Sequence, residues 1–191
     1  MHKKFIILIM LPLLAFSAED EYIIDKSHFS VGFLVEHVGY AKTLGMFRDI
    51  DGSYSHDLTT NKINNINISI KTGSVFTNHD KRDQHLMSPD FLNANKFPEM
   101  LFKATDINIQ DDITTINGKL TLLGITKPLI LSGKINKIGK YPFGGIIKPY
   151  VMGISARGTI RRSEYGMNYA LKDNLVGDEI DLIIEFEARR Q

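Results

Sequence analysis

Four stretches of the chain alternate apolar and polar residues with a period of two, the pattern of strands that bury one face. In the first, Phe29, Val31, Phe33, Val35 and His37 share a face, opposite Ser30, Gly32, Leu34 and Glu36. The second, Ile66-Asn67-Ile68-Ser69-Ile70-Lys71, is apolar in one register and polar in the other. The third sets Ile116, Gly118, Leu120 and Leu122 against Asn117, Lys119 and Thr121. The last sets Ile180, Leu182, Ile184 and Phe186 against Asp181, Ile183, Glu185 and Glu187. A slip of one residue would turn each apolar set to water, so the alternation also specifies register.

Shorter strand candidates lie at residues 100–107, 129–138 and 152–162, between Gly, Asn, Asp and Pro punctuation. Helical pattern is confined to residues 80–92, where Ser88 and Pro89 read as the cap and first turn of a second short helix. Residues 140–149 read as a mobile loop. The pattern therefore predicts an all-β domain of seven or eight strands, with no repeat and no domain boundary. Such strands bury their apolar faces either between two sheets or inside one closed antiparallel sheet. About eight strands enclose an interior that just fills with side chains or admits one small ligand.

The N-terminus changes the picture by giving an address. Met1-His2-Lys3-Lys4 is basic, residues 5–16 are an apolar run, and Ala15-Phe16-Ser17-Ala18 supplies small residues for cleavage. This reads as a signal peptide over residues 1–18, leaving a mature domain of residues 19–191 and a periplasmic location. The run is shorter than the roughly 20 residues a spanning helix needs. Loss of Lys3 and Lys4 takes the balance from 23 basic against 22 acidic residues to 21 against 22, which offers nucleic acid no broad attraction. The chain has no cysteine, so disulfides, thiolate chemistry and a lipidated N-terminal cysteine are excluded.

Four ordered blocks carry a family resemblance. The first runs from Tyr22-Ile23-Ile24-Asp25 through His28, Val31-Gly32-Phe33 and His37-Val38-Gly39 to Gly45-Met46-Phe47, with Phe29 where serine is usual. The second is Thr72-Gly73-Ser74-Val75-Phe76-Thr77, then Arg82-Asp83-Gln84-His85-Leu86-Met87-Ser88-Pro89-Asp90-Phe91-Leu92 and Phe97-Pro98, departing at Leu92 and Asn93. The third is residues 118–128, Gly-Lys-Leu-Thr-Leu-Leu-Gly-Ile-Thr-Lys-Pro, and the fourth residues 160–166, with Tyr165 in place of phenylalanine. Together they resemble the YceI-like family of periplasmic lipocalin-like proteins over nearly the whole mature length.

The resemblance implies an extended eight-stranded antiparallel barrel with a short helix near one end. It further implies a non-catalytic carrier that holds a long apolar lipid, a polyisoprenoid, isoprenoid quinone or fatty amide, in the lumen. Parity names the wall: Phe29, Val31, Phe33, Val35, Ile66, Ile68, Ile70, Leu120, Ile154, Ile160, Ile184 and Phe186. The small residues Gly118, Ala156 and Gly158 are where free volume is expected. A barrel packed shut by these side chains, serving as a stress-response interaction protein, is the bland alternative. A quinone-dependent redox accessory or enzyme beside a membrane cytochrome or other membrane partner is another, and a homodimer stays open.

The residues that could carry chemistry are few. His37 shares the inward parity at a strand end, and Arg162 follows inward Ile160 by two; both are candidate head-group contacts. A guanidinium at Arg162 belongs at the rim, or beside a carboxylate if buried, and Arg161 and Arg162 are expected to pin the loop at Glu164 and Tyr165. Arg82, Asp83 and His85 are expected to be structural polar groups near the barrel mouth, with Asp83 bonding backbone at a turn. His79 and His85 are six apart, nearly opposite on a helix, so no metal site is expected among them. No cofactor besides the lipid is expected, and no serine-hydrolase elbow or phosphate loop occurs.

Overall fold

The computed structural model describes residues 19–108 and 114–191, so the expected signal peptide lies outside the described residues. Among the described residues, ten strands run β1 (Glu19–His37), β2 (Ala41–Phe47), β3 (Ile50–Asp57), β4 (Lys62–Lys71), β5 (Val75–Phe76), β6 (Glu99–Asn108), β7 (Thr114–Leu122), β8 (Ile125–Lys140), β9 (Tyr150–Arg161) and β10 (Val176–Arg190), with one α-helix, α1 (Asp80–Met87), after β5. All ladders are antiparallel, in the order β10-β9-β8-β7-β6-β4-β3-β1, and β1 pairs back onto β10. Eight staves therefore close into a barrel. Closure leaves these staves no free edge.

β1 is long enough to serve two partners on its other side. Its first residues pair with β3, Tyr22 opposite Tyr54, and its last with β2, from Val31 opposite Phe47 to His37 opposite Ala41. Between them the β1–β10 register shifts across residues 25–28. The shift changes inward parity, so Tyr22 and Ile24 face inward before it and Val31 and Phe33 after it, all buried. Asp25 holds the irregular segment: its carboxylate accepts from Ser27 N–H (2.9 Å), Arg189 Nε (2.8 Å) and His28 Nδ1 (3.0 Å). Burial alone would raise its pKa, but these bonds and the Arg189 charge hold it down to about 2.

A second change of parity lies in β4. Asn65 takes φ 55°, a left-handed conformation that asparagine tolerates, and the β3–β4 register shifts between Ser53 and Ser55. Ile63 and Ile66, three apart, are then both buried. β6 follows β4 through the same change, burying Ala104 and Ile107 three apart opposite Ile66 and Ile63, and β8 shifts register between Ile135 and Lys137. β10 keeps the alternation, with Ile180, Leu182, Ile184 and Phe186 inward.

Glycines expected to leave space instead admit neighbouring side chains. A Cβ on Gly118 would lie 2.3 Å from Phe102 Cζ, one on Gly158 2.5 Å from Leu131 Cδ2, and one on Gly45 2.2 Å from Phe33 Cζ. The expectation of free volume at Gly118 and Gly158 is corrected accordingly. Large rings on one strand lie in the gaps left on the next.

α1 has only eight residues, too short to persist alone. The His79 ring accepts from Arg82 N–H at its start, and Asp80 and Asp83 occupy the first turn where the helix dipole favours negative charge. The second helix expected at Ser88 and Pro89 does not form. Residues 88–92 make successive turns, with Phe91 N–H and Asn93 N–H both donating to Ser88 O.

Candidate functional site

The barrel interior is a cavity rather than a filled core. Its volume is about 210 Å³, against the ~10–15 Å³ that holds one water. All the lumen residues expected from parity line it except Phe29. Phe29 instead packs, half-buried, against the core beside the irregular segment of β1. From Val176 to Phe186 the β10 residues facing the cavity extend about 33 Å along the strand, so the space is long and narrow.

Parity missed part of the wall. Ile24, Ile63 and Ile107 line the cavity, although constant alternation through β1 and β4 would not select the first two. Ile50 and Tyr54 line it as well, and the run Ile50, Tyr54, His56 against Asp51, Ser53, Ser55 is the sequence pattern that marks them. Leu86, Phe91 and Leu92 come from α1 and the turns after it, where no strand pattern exists.

One end of the cavity carries a cation. Arg162, 1 % exposed, lies at the end of β9 and lines the cavity. Its Nε donates to Gly177 O (2.8 Å), Nη1 to Met167 O (2.8 Å) and Nη2 to Val176 O (2.7 Å). The guanidinium is thus buried against carbonyls, not at the rim or in an ion pair with a carboxylate. Asp178, whose charge acts on it, accepts from Ser163 N–H and Oγ, both at 2.9 Å. Burial lowers the Arg162 pKa and Asp178 partly offsets it. The Phe91 ring centroid lies 5.9 Å from its Cζ.

Arg162 therefore ties residues 167–177 to the end of β9. Arg161 does not share that role: it points outward and pairs with Glu179 (3.1 Å). His37 is corrected too, being exposed at the end of β1 and absent from the cavity wall. The strand closes on Ala41 and Val176 around its backbone, leaving its ring outside.

The polar residues around α1 lock this end. Asp83 accepts from Thr77 N–H (2.8 Å) and from the Thr77 hydroxyl, while Arg82 donates to Thr77 O (2.6 Å) and Oγ1 (2.7 Å). His85 Nε2 meets Asp90 at 2.9 Å, and its ring stands edge-on to Phe91 and Tyr169 at 5.0 and 4.9 Å. Residues from α1, the following turns and the β9–β10 connection thus meet over the Arg162 end.

The opposite end, near the start of β1, is closed by a second cluster that includes Tyr22, Tyr54, Ile63, Ile107, Met152 and Ala188. Burial pushes the Tyr54 phenol well above its usual range, with Tyr22 adding to the effect. Among the described residues, Asp25, His28 and Glu187 bring potential metal-ligand atoms within 4.8 Å of one another. Asp25 is already engaged by Ser27, His28 and Arg189, which accounts for that grouping without an ion.

The family model of the YceI-like domain matches residues 22–188. The chain is 38 % identical to protein YceI of Salmonella arizonae over 173 residues, 90 % of this chain and 87 % of that one. The crystal structure of the Campylobacter jejuni YceI protein superposes with a TM-score of 0.70 at 28 % identity, covering 82 % of this chain and 90 % of that one. A polyisoprenoid binding domain from Saccharophagus degradans, implicated in plant cell wall breakdown, shares the fold at a TM-score of 0.68 and 8 % identity, covering 91 % of this chain and 100 % of that domain. With a closed eight-stave barrel and a family match across nearly all the described residues, the chain belongs to the YceI-like family.

Proposed function

We propose that this protein is a periplasmic binding protein that carries one long apolar lipid in its lumen and performs no catalysis. The observation that carries the proposal is the long cavity of about 210 Å³ walled mainly by Ile, Leu, Val and Phe. An apolar chain enclosed there leaves water at about 25 cal/mol for each Å² of surface removed. A barrel packed shut does not match that space. The name of the Saccharophagus degradans domain supports a polyisoprenoid, and the same wall suits an isoprenoid quinone or a fatty amide.

The lipid head lies at the Arg162 end in this proposal. Three of the five guanidinium N–H groups are engaged by carbonyls, and the remaining two are available to a lipid oxygen. His37, outside the wall, takes no part. The basic and apolar N-terminal pattern supports export.

Extraction of the protein from its native cell envelope with organic solvent, followed by mass spectrometry, tests the proposal. One stoichiometric lipid is expected, and its mass distinguishes polyprenol, quinone and fatty amide. No co-purifying lipid, together with no binding of added polyprenol, quinone or fatty amide, overturns it.

A further inference from the structure

Opposite the Arg162 end, three buried aromatic side chains each carry a polar atom without a hydrogen-bond partner. Tyr22 and Tyr54 are register partners on β1 and β3, with rings stacked 3° from parallel and centroids 5.3 Å apart. His56 follows on the same face of β3, its ring 6.3 Å from that of Tyr22. Tyr22 is 0 % exposed, and Tyr54 and His56 are each 3 % exposed.

Tyr22 Oη, Tyr54 Oη and His56 Nδ1 are all sealed from solvent without a hydrogen-bond partner. A buried donor or acceptor left unpaired costs about 1–3 kcal/mol, so native proteins pair nearly all of them. Three in one cluster indicate a missing partner. His56 Nε2 lies 3.0 Å from Asn61 Oδ1, which assigns the proton to Nε2 and leaves Nδ1 an acceptor. Tyr54 itself lines the cavity, edge-on to Phe186 at 6.5 Å, and so stands between the lumen and the other two groups.

We infer that this end of the lumen is a second polar subsite, in which Tyr54 Oη, backed by Tyr22 and His56, binds a hydroxyl or carbonyl oxygen on the far terminus of the lipid. The inference rests on the lumen being the lipid site. It makes the cavity polar at both ends, with Arg162 receiving one oxygen function and Tyr54 the other. A plain hydrocarbon terminus leaves the Tyr54 hydroxyl unpaired, and an oxygenated terminus satisfies it. Among lipids whose head oxygen meets Arg162, the lumen then favours one that carries a second oxygen at its far end.

Calorimetric titration of the delipidated full chain with octadecanoic acid and with its ω-hydroxy derivative tests this. The ω-hydroxy acid is expected to bind about fivefold more tightly, corresponding to one net neutral hydrogen bond. Tyr54→Phe is expected to abolish the preference while retaining the plain acid, and to leave the lipid-free protein at least as stable. Equal affinities, or a preference unchanged in Tyr54→Phe, overturn the subsite alone. Absence of preference with a Tyr54→Phe protein that is less stable assigns the cluster to an internal water and also overturns it. Failure of both acids and of polyprenol, quinone and fatty amide overturns the lumen reading itself.

Discussion

Asp83, in the first turn of α1, accepts both the backbone N–H and the hydroxyl of Thr77, which itself follows the last residue of β5. The helix is thereby held to the barrel by the Asp83 carboxylate together with Arg82, which donates to Thr77 O and Oγ1. Asp83→Ala leaves the buried Thr77 N–H unpaired and is expected to cost about 1–3 kcal/mol. A denaturant titration reads the loss, and hydrogen exchange at the Thr77 amide should rise by a larger factor than exchange in β9 and β10.

Arg162 holds three carbonyls from residues 167–177 with one side chain. Arg162→Met keeps the stem and removes the donors, so stability should fall by more than about 2 kcal/mol in the lipid-free protein. Arg162→Lys retains charge but not the planar fork and should recover only part of it. Equal thermal midpoints for Met, Lys and wild type would contradict the geometry.

Asp25 predicts an acid-labile element. Its carboxyl is held at about 2 against an ordinary 3.8, so the folded state favours its ionised form. That contribution is full above the unfolded-state value and disappears as pH falls through the folded one, between about pH 4 and pH 2. It amounts to roughly 2 kcal/mol at neutral pH. Asp25→Asn should be less stable at neutral pH, and its unfolding midpoint should fall less steeply than wild type across that window.

The lumen volume is testable without an unpaired charge. Ala156 is buried and faces the cavity from β9. Ala156→Phe fills part of the space and should reduce co-purified lipid severalfold, while far-ultraviolet circular dichroism stays that of the wild type. In contrast, Gly45→Ala places a methyl 2.2 Å from Phe33 Cζ, and overpacking should cost about 1–3 kcal/mol. Phe33→Ala in the same chain should relieve most of that increment in a double-mutant cycle.

Phe143, Ile146 and Ile147, in the β8–β9 connection, are 73, 104 and 90 % exposed. They bury too little to stabilise the fold, so serine at all three positions should shift unfolding by less than about 0.5 kcal/mol. A larger loss by chemical denaturation would show that they pack.

Much of the barrel was legible because alternation is a local property. Val31, Phe33 and Val35 on β1 and Ile180 to Phe186 on β10 face inward as their parity requires. Ile24 and Ile63 escaped that logic, since the shift at residues 25–28 and the left-handed Asn65 each change the inward phase. His37 kept the right parity and still lies outside, exposed at the last residue of β1, although its register partner Val176 lines the cavity.

The sequence alone therefore determined an all-β chain, the inward face of β10 and of the second half of β1, and its family, because period-two burial and motif order need no distant contacts. Whether the apolar faces would meet or stand apart was settled only by closure of eight staves at a radius that leaves the centre open. Tertiary structure likewise decided that Arg162 is buried, since its partners are backbone carbonyls of residues 167, 176 and 177, which no side-chain pattern announces. It also brought Tyr22, Tyr54 and His56 together at the far end with their polar atoms unpaired.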